Sequence, residues 1–277
     1  MVSKIRKPEN LAEFVDQKQM RGRITFRGNA ATKELKLSPI AFNRAAQRLI
    51  KKGRLIHLVR GFYVIVPLEK QFSGSVDPLW LIEDLMGYLE EDYYVGLLSA
   101  ASLYGASHQA VQEFQVVVKS QLKIVSQKNI RIRFLTKKSA PQTKIEKVKT
   151  ARGFVKVSSP EETAFDLVRY LKWSGYINNS AMVLKELAEK LDPKDLLAIS
   201  KRSAHALTQR LGYLLDLSGN LRLTKSMADW LKSQSPSIAL LQPGNKKFKG
   251  KRSEKWFLII NEKVELGEPW KGFKNKK

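Results

Sequence analysis

Five side chains between positions 43 and 51 have the chemistry needed to recognise the edges of base pairs. They are Asn43, Arg44, Gln47, Arg48 and Lys51. Arginine can donate two hydrogen bonds to guanine, and asparagine or glutamine can make two with adenine. No aspartate or glutamate lies between Pro39 and Gly61 to neutralise the cations. The segment is therefore a candidate reader of the DNA major groove, and a solvated helix face is the simpler alternative.

The helix that would position these side chains is predicted from Pro39 to Lys52. Ser38 is a favourable N-cap, and proline is well tolerated in the first turn because its missing N–H has no helical partner there. Gly53 is a favourable residue just past the end of a helix. The opposite face should pack inward, because apolar residues recur on it at helical spacing: Phe42, Ala45, Ala46, Leu49 and Ile50.

The neighbouring segments complete the pattern of a winged helix-turn-helix. A helix is predicted over Leu11–Met20, a strand around Ile24 and Phe26, a helix over about Asn29–Lys36, and two strands over Arg54–Val59 and Phe62–Val66. The two strands form a hairpin that turns at Arg60–Gly61. Arg54 and Arg60 are expected to contact phosphates beside the recognition helix, and His57 is a further candidate for DNA contact.

The sequence predicts an α+β protein with two domains. Residues 1–68 would form the winged helix-turn-helix, residues 69–75 a polar linker, and residues 76–277 a larger α+β domain. In the larger domain, helices are predicted over Pro78–Leu89 and Tyr94–Gly105, followed by a small, mainly antiparallel sheet among helices. Strands are expected at Phe114–Val118, Leu122–Val125, Ile130–Leu135, Lys144–Val148 and Phe154–Val157.

The composition favours a polyanionic partner. The formal net charge is +24 and the isoelectric point is about 10.1, which predicts salt-dependent binding to polyanions. The absence of cysteine excludes disulfides and thiolate metal sites. No apolar run has the length of a membrane span, and no signal peptide is recognisable. We therefore expect a cytoplasmic protein that has no membrane partner.

A second basic surface is predicted in the larger domain. Between Lys119 and Lys156 there are 12 lysines and arginines and one acid, Glu146. Apolar and basic residues alternate over part of this segment, which is typical of a strand with one face in water. The surface would contact nucleic acid or an acidic protein through Lys119, Lys123, Arg131, Arg133, Lys144 and Lys149.

Two other functions compete with a plain DNA-binding regulator. A metal-dependent nuclease would need carboxylates near a lysine, for which Glu113, Glu146 and Lys144 are the available residues. A ligand-responsive transcription factor would bind its effector near Tyr94–His108, where tyrosines and serines cluster. Neither group has a spacing that demands a site, so we expect no enzymatic activity, no catalytic or metal-binding residues, and no cofactor.

Several segments resemble one known family. They are GFYVIVP (61–67), YYVGLLSAASLYGASHQ (93–109), FQVVV (114–118), RGFVKVSSPEETAFDLV (152–168) and WFLIINEKVE (256–265). In this order they resemble the AbiEi-type antitoxins of bacterial toxin–antitoxin systems, which also act in abortive phage infection. The resemblance covers nearly the whole chain, although its motifs are core and turn patterns.

The resemblance implies two activities. The N-terminal winged helix would bind inverted repeats in its own promoter and repress the operon, with Pro39–Lys52 as the DNA-reading helix. The C-terminal domain would counteract a cognate toxin that resembles a nucleotidyltransferase. The antitoxins of this family are generally considered non-enzymatic. No short motif marks the residues responsible for antitoxicity.

Overall fold

The computed structural model describes residues 7–70, 76–106, 112–244 and 250–266. The fold is mixed α+β, and its described residues group into two compact units. The first unit draws on Met1–Tyr94, Gln112–Gln142 and Lys147–Lys156. The second draws on Val95–Val111, Thr143–Glu146 and Val157–Lys277. Each unit is therefore built from separate stretches of the sequence.

The N-terminal elements follow the predicted order. They are α1 (Leu11–Met20), β1 (Thr25–Arg27), α2 (Gly28–Leu35), α3 (Pro39–Lys51), β2 (Leu55–Val59) and β3 (Phe62–Ile65). The three strands form an antiparallel sheet in the order β1-β3-β2. These elements confirm the predicted helices and strands of this segment to within one or two residues.

The connection between α2 and α3 is short because both helix ends are capped within it. Lys36 ends α2 in a left-handed conformation (φ 52°), and the Leu37 amide donates to the Thr32 carbonyl at 3.1 Å. The Ser38 hydroxyl then accepts from the Ala41 amide at 3.2 Å, with Pro39 in the first turn of α3. Three residues thus end one helix and start the next.

The core beneath these elements is centred on Tyr63. Its ring stacks on Phe26 of β1, with centroids 5.3 Å apart, and meets Phe42 of α3 edge to face at 5.5 Å. Phe14 of α1 contacts Phe26 in turn, also at 5.3 Å. Phe42, Ala46 and Leu49 of α3 are buried, and the half-buried Ala45 and Ile50 pack against the same cluster. The inward face predicted for this helix is therefore confirmed.

A six-stranded sheet follows, in the order β6-β7-β5-β4-β9-β8. Its strands are β4 (Tyr93–Val95), β5 (Phe114–Val118), β6 (Val125–Gln127), β7 (Ile130–Thr136), β8 (Ile145–Thr150) and β9 (Gly153–Ser158). The helices α4 (Ile82–Leu89) and α5 (Leu97–Leu103) precede or interrupt these strands, and a single turn of 3-10 helix covers Pro78–Trp80.

Two predictions about this sheet differ from the structure. The helix predicted over Tyr94–Gly105 begins only at Leu97, because Tyr93–Val95 is a strand whose Val95 pairs with Val157 of β9. Aromatic and β-branched residues suit a strand, and the strand partner lies far along the sequence. The sheet is also mixed, because it contains parallel pairs that the mainly antiparallel prediction did not anticipate. The β5–β7 and β4–β9 pairs are parallel, whereas β6–β7 is antiparallel.

The remaining chain is mostly helical. Its elements are α6 (Pro160–Arg169), α7 (Tyr176–Leu187), α8 (Pro193–Arg202), α9 (His205–Leu217), α10 (Leu221–Ser233), β10 (Ala239–Leu240), β11 (Lys251–Ser253) and β12 (Leu258–Ile260). The last three form a small sheet in the order β10-β12-β11. Within the described ranges, no helix is long and apolar enough to cross a membrane.

Later parts of the first unit support the N-terminal elements directly. Thr25 donates to Asp84, Arg27 donates to the Gly87 carbonyl at 3.3 Å, and Arg152 donates to the Gly22 carbonyl at 2.7 Å. Only residues 69 and 70 of the predicted linker are described by the structure, and residues 71–75 lie outside the described ranges. A domain boundary at 69–75 stays a prediction. The first compact unit also contains residues that follow this segment in the sequence.

The β2–β3 turn is one of these supported places. Gly61 has φ +76°, and the Tyr88 hydroxyl donates to the Arg60 carbonyl at 2.9 Å. A Cβ on Gly61 would lie 2.7 Å from that hydroxyl oxygen. Only glycine satisfies both the left-handed backbone and this close approach.

Gly61→Ala should therefore destabilise the protein by about 2 kcal/mol, about half from the backbone conformation and the rest from displacing Tyr88. Gly53→Ala is a matched control, because Gly53 has φ +72° and no atom lies within 4 Å of the place that an added Cβ would take. Denaturant unfolding of both variants measures the difference. Equal losses in the two variants would show that the Tyr88 contact contributes nothing.

Candidate nucleic-acid interface

The predicted base-reading side chains all lie on the solvent face of α3. Asn43, Arg44, Gln47, Arg48 and Lys51 are exposed, while the other face of the helix packs on the aromatic core. Ile40, in the first turn, is 67% exposed. This apolar side chain was missed by the sequence argument, although an exposed methyl-bearing residue here could contact a thymine methyl group.

A groove of about 830 Å³ lies beside this helix, between α2, α3 and the β2–β3 hairpin. Its charged lining is entirely basic and comes from Lys33, Lys36 and Arg60, all of which are exposed. Asn29, Thr32, Asn43 and His57 add polar groups. No carboxylate lines the groove, so its potential should favour an anionic strand.

The floor of this groove is built from the same rings as the core. Tyr63 and Phe42 line it, and the His57 imidazole stacks on Tyr63 with centroids 4.8 Å apart. Burial of the Tyr63 phenol raises its pKa, so the ring stays neutral. A Cβ on Gly28 would lie 3.0 Å from the Tyr63 ring and 3.3 Å from that of Phe42. Glycine at this position thus lets α2 approach the rings closely.

The groove lysines were not singled out from the sequence. Lys33 lies in the last turn of α2, and Lys36, three residues later, is the left-handed residue that follows the helix. That spacing was the available signal. The spacing alone does not reveal the groove, because only the three-dimensional arrangement shows that α2 and the hairpin enclose one concave surface.

The two arginines predicted to contact phosphates, Arg54 and Arg60, are not equally free to bind one. Arg60 is exposed at the hairpin turn and lines the groove. Arg54 lies just before β2, and its guanidinium forms an ion pair with Asp16 of α1. A phosphate would have to compete with that carboxylate, so Arg54 ties α1 to the hairpin and Arg60 is the freer cation.

The residues of the second basic surface predicted from the sequence are divided between the two compact units. Lys119, Lys123, Arg131, Arg133 and Lys149 belong to the first unit, and Lys144 belongs to the second. Lys119, Lys123, Arg131 and Lys149 are exposed.

Ion pairs occupy two members of that set. Arg133 holds both oxygens of Glu113, and this pairing keeps the pKa of the Glu113 carboxyl below its usual range. Lys144 donates to Asp195 at 2.6 Å, which raises the pKa of its ammonium group.

Each residue proposed for a nuclease site has another partner. Glu113 is held by Arg133 in the first unit, whereas Glu146 and Lys144 belong to the second. Glu146 accepts from the Tyr104 hydroxyl at 3.1 Å, and Lys144 is engaged by Asp195. In the part of the chain that the structure describes, no group of three or more histidines or carboxylates is arranged to hold a metal ion.

The tyrosines proposed for a ligand pocket have structural partners. The Tyr104 hydroxyl donates to the Ser158 carbonyl at 2.8 Å, and Tyr94 is 1% exposed with the Lys137 ammonium 5.5 Å from its ring centroid. Burial and the nearby Glu146 raise the pKa of Tyr104. His108, another polar residue of that proposal, lies outside the described residues.

Comparison with a solved structure supports the fold. The chain is similar to the RV2827C protein from Mycobacterium tuberculosis, with a TM-score of 0.66 over 92% of each chain. The two sequences are 12% identical, so the likeness concerns the fold alone. No curated protein gives a significant sequence match.

A family comparison identifies the middle of the chain. Residues 94–217 match the family described as the AbiEi antitoxin C-terminal domain. The matched range contains α5 to α9 and the strands β5 to β9, and it includes the SSPEETAFDLV segment that begins α6. The resemblance noted in the sequence is thereby confirmed for this region. Over residues 94–217, the chain is therefore similar to the C-terminal domain of the AbiEi-type antitoxins.

Proposed function

We propose that residues 7–70 form a winged helix-turn-helix that binds DNA, with α3 inserted in the major groove. The proposal rests on one observation above all. The exposed face of α3 presents Asn43, Arg44, Gln47, Arg48 and Lys51 without an acid, beside a groove whose charged residues are all basic. A tight turn before the helix and a hairpin after it are the usual means of presenting such a face.

Different residues of this surface have different roles in the proposal. Arg44 and Arg48 reach guanine edges, whereas Asn43 and Gln47 suit adenine. Lys33, Lys36 and Arg60 neutralise the phosphates of the strand that lies along the groove. Phosphate contacts set the orientation of the protein on the duplex, and the contacts from α3 set its sequence preference.

The match of residues 94–217 to the AbiEi antitoxin C-terminal domain supports an antitoxin role for the chain. We further propose that the protein represses its own operon by binding inverted repeats, and that the toxin it counteracts is nucleotidyltransferase-like. A cytoplasmic location and the absence of enzymatic activity belong to the same proposal. In support of the latter, each carboxylate considered for catalysis has another structural partner: Glu113 with Arg133, and Glu146 with Tyr104.

A footprint on the DNA upstream of the gene tests the repressor directly. We expect protection of an inverted repeat, unchanged by Mg²⁺. Cleavage that appears only with Mg²⁺ would instead establish a nuclease and overturn the proposal.

Replacement of Arg44 by alanine should weaken binding to the protected site by about 1–3 kcal/mol and relax its sequence preference. Arg44→Lys is the matched control, since it keeps the charge but loses the two-pronged hydrogen-bond geometry. Competition binding against random DNA separates the two effects. An equal loss on specific and random DNA would show that Arg44 contacts phosphate only.

Arg131 and Arg133 allow a test of DNA contact beyond the N-terminal elements. Arg131→Gln should lower the slope of log affinity against log salt by about one if the exposed guanidinium meets a phosphate. Arg133→Gln should change it less, because Glu113 already neutralises that side chain. Unchanged slopes in both variants would confine DNA contact to other residues.

The two proposed activities should be separable. The full chain with Arg44→Ala and Arg48→Ala should lose repression of a reporter joined to its promoter, yet still protect cells that express the neighbouring toxin. A variant with Arg44→Lys and Arg48→Lys controls for charge. Loss of protection by the alanine variant, with normal amounts of folded protein, would assign α3 to antitoxicity as well.

A further inference from the structure

The turn between α9 and α10 shares its type of helix end with the turn between α2 and α3, although its left-handed residue lies one position later in the connection. Each connection has three residues, 36–38 and 218–220, and leads into a helix of 13 residues. Lys36 and Gly219 are the left-handed residues, with φ 52° and 88°. The following amide in each case donates to the carbonyl five residues earlier, Leu37 to Thr32 and Asn220 to Leu215. Both are the same type of helix end.

A third helix and a hairpin complete the likeness. The helix α8 packs against both α9 and α10, as α1 packs against α2 and α3. The strands β11 and β12 then form an antiparallel pair, with β10 added beside β12. Three helices followed by a hairpin is the element order of a winged helix. The added strand β10 is a difference from the N-terminal elements.

Asp216, at the end of α9, joins this hairpin to the helix turn. Its carboxylate accepts from the Thr224 hydroxyl in α10, from the Trp256 indole at 2.7 Å, and from the Lys255 ammonium at 2.6 Å. Lys255 and Trp256 belong to the turn between β11 and β12. The hairpin turn is thus fixed beside the first turns of α10.

The other contacts of the small sheet also come from α9. Gln209 donates to the Ser237 and Phe257 carbonyls at 2.9 and 3.0 Å, and Arg210 donates to the Leu240 carbonyl at 2.9 Å. The Trp256 ring packs directly on Gly212, where a Cβ would overlap it. The contacts of the sheet with α9 leave the outer face of α10 uncovered in the described structure.

That outer face is basic. Thr224, Met227 and Leu231 are buried on the inner side of α10. Arg222, Lys225 and Lys232 are exposed on the other side and have no carboxylate partner among the described residues. These three cations extend over about 15 Å of helix. Asp229 is exposed on the same side and is the one acid on α10.

We propose that α9, α10 and the β11–β12 hairpin form a second helix-turn-helix, and that α10 binds duplex DNA through Arg222, Lys225 and Lys232. Duplex DNA fits better than an acidic protein, because the helix-turn-helix with an anchored hairpin presents a helix to a groove, and phosphates flank that groove on both sides. The family match ends at residue 217, so α10 lies beyond the matched domain. The binding is independent of α3.

The test compares charge removal on α10 with matched charge removal on another exposed part of the same unit. The full chain with Lys225→Gln and Lys232→Gln is measured against Lys185→Gln with Lys190→Gln, all four lysines being exposed. Binding of a random duplex is followed by fluorescence anisotropy over a range of salt concentrations. The α10 variant should lower the salt slope by roughly two, since each phosphate contact contributes about 0.9. The control should leave it unchanged.

Two further measurements make the outcome decisive. Asp229→Asn should strengthen binding, because it removes a negative charge from the contact face. The same slope change should persist when Arg44 and Arg48 are alanine, which separates α10 from the function proposed for α3. Equal slopes for the α10 variant and its control, with far-UV circular dichroism unchanged, would overturn the proposal. Intact DNA binding with lost protection against the toxin would also overturn it and assign α10 to a protein partner.

Discussion

The N-terminal half of the first unit depends on the contacts of a single ring. Tyr63 touches Phe26, Phe42 and His57, which belong to β1, α3 and β2. Aromatic pairs of this kind contribute about 0.5–1.5 kcal/mol each beyond the burial of their area. Tyr63 packs in the core and also lines the basic groove. The same contacts therefore fix the position of α3 and the shape of the groove. A change in the core would therefore alter the basic groove as well.

The net charge overstates the number of cations that can bind a polyanion, because several of them are already paired with carboxylates. Arg54, Arg133 and Lys144 were all candidates for phosphate contact, and each has a carboxylate partner: Asp16, Glu113 and Asp195. These partners lie 38, 20 and 51 residues away in the sequence. Residue type and local spacing cannot show such pairs, because they depend on which distant elements pack together. Exposed cations such as Arg44, Arg60 and Arg131 remain as the ones that a polyanion can reach without competition.

Local signals predicted the local structure well. The Ser38–Pro39 pair starts α3 as expected, and the Ser159–Pro160 pair starts α6 in the same way. Both serines accept a hydrogen bond from an amide in the first turn. The exposed face of α3 and its apolar inner face also followed from helical spacing. The errors arose where the local structure depends on contacts with residues that are distant in the sequence. Tyr93–Val95 is a strand because β9 is there to pair with it, and the groove became visible only when α2, α3 and the hairpin were placed together.

The first unit has a further consequence for how the protein is made. Arg152 closes a bond to Gly22 across 130 residues of sequence, and β5 to β7 also belong to this unit. At a synthesis rate of about 5–20 residues per second, the ribosome adds Arg152 about 7–26 s after Gly22. During that interval the N-terminal elements are already synthesised but lack the contact with Arg152. Completion of this unit is therefore tied to translation of the middle of the message, long after α3 has been synthesised.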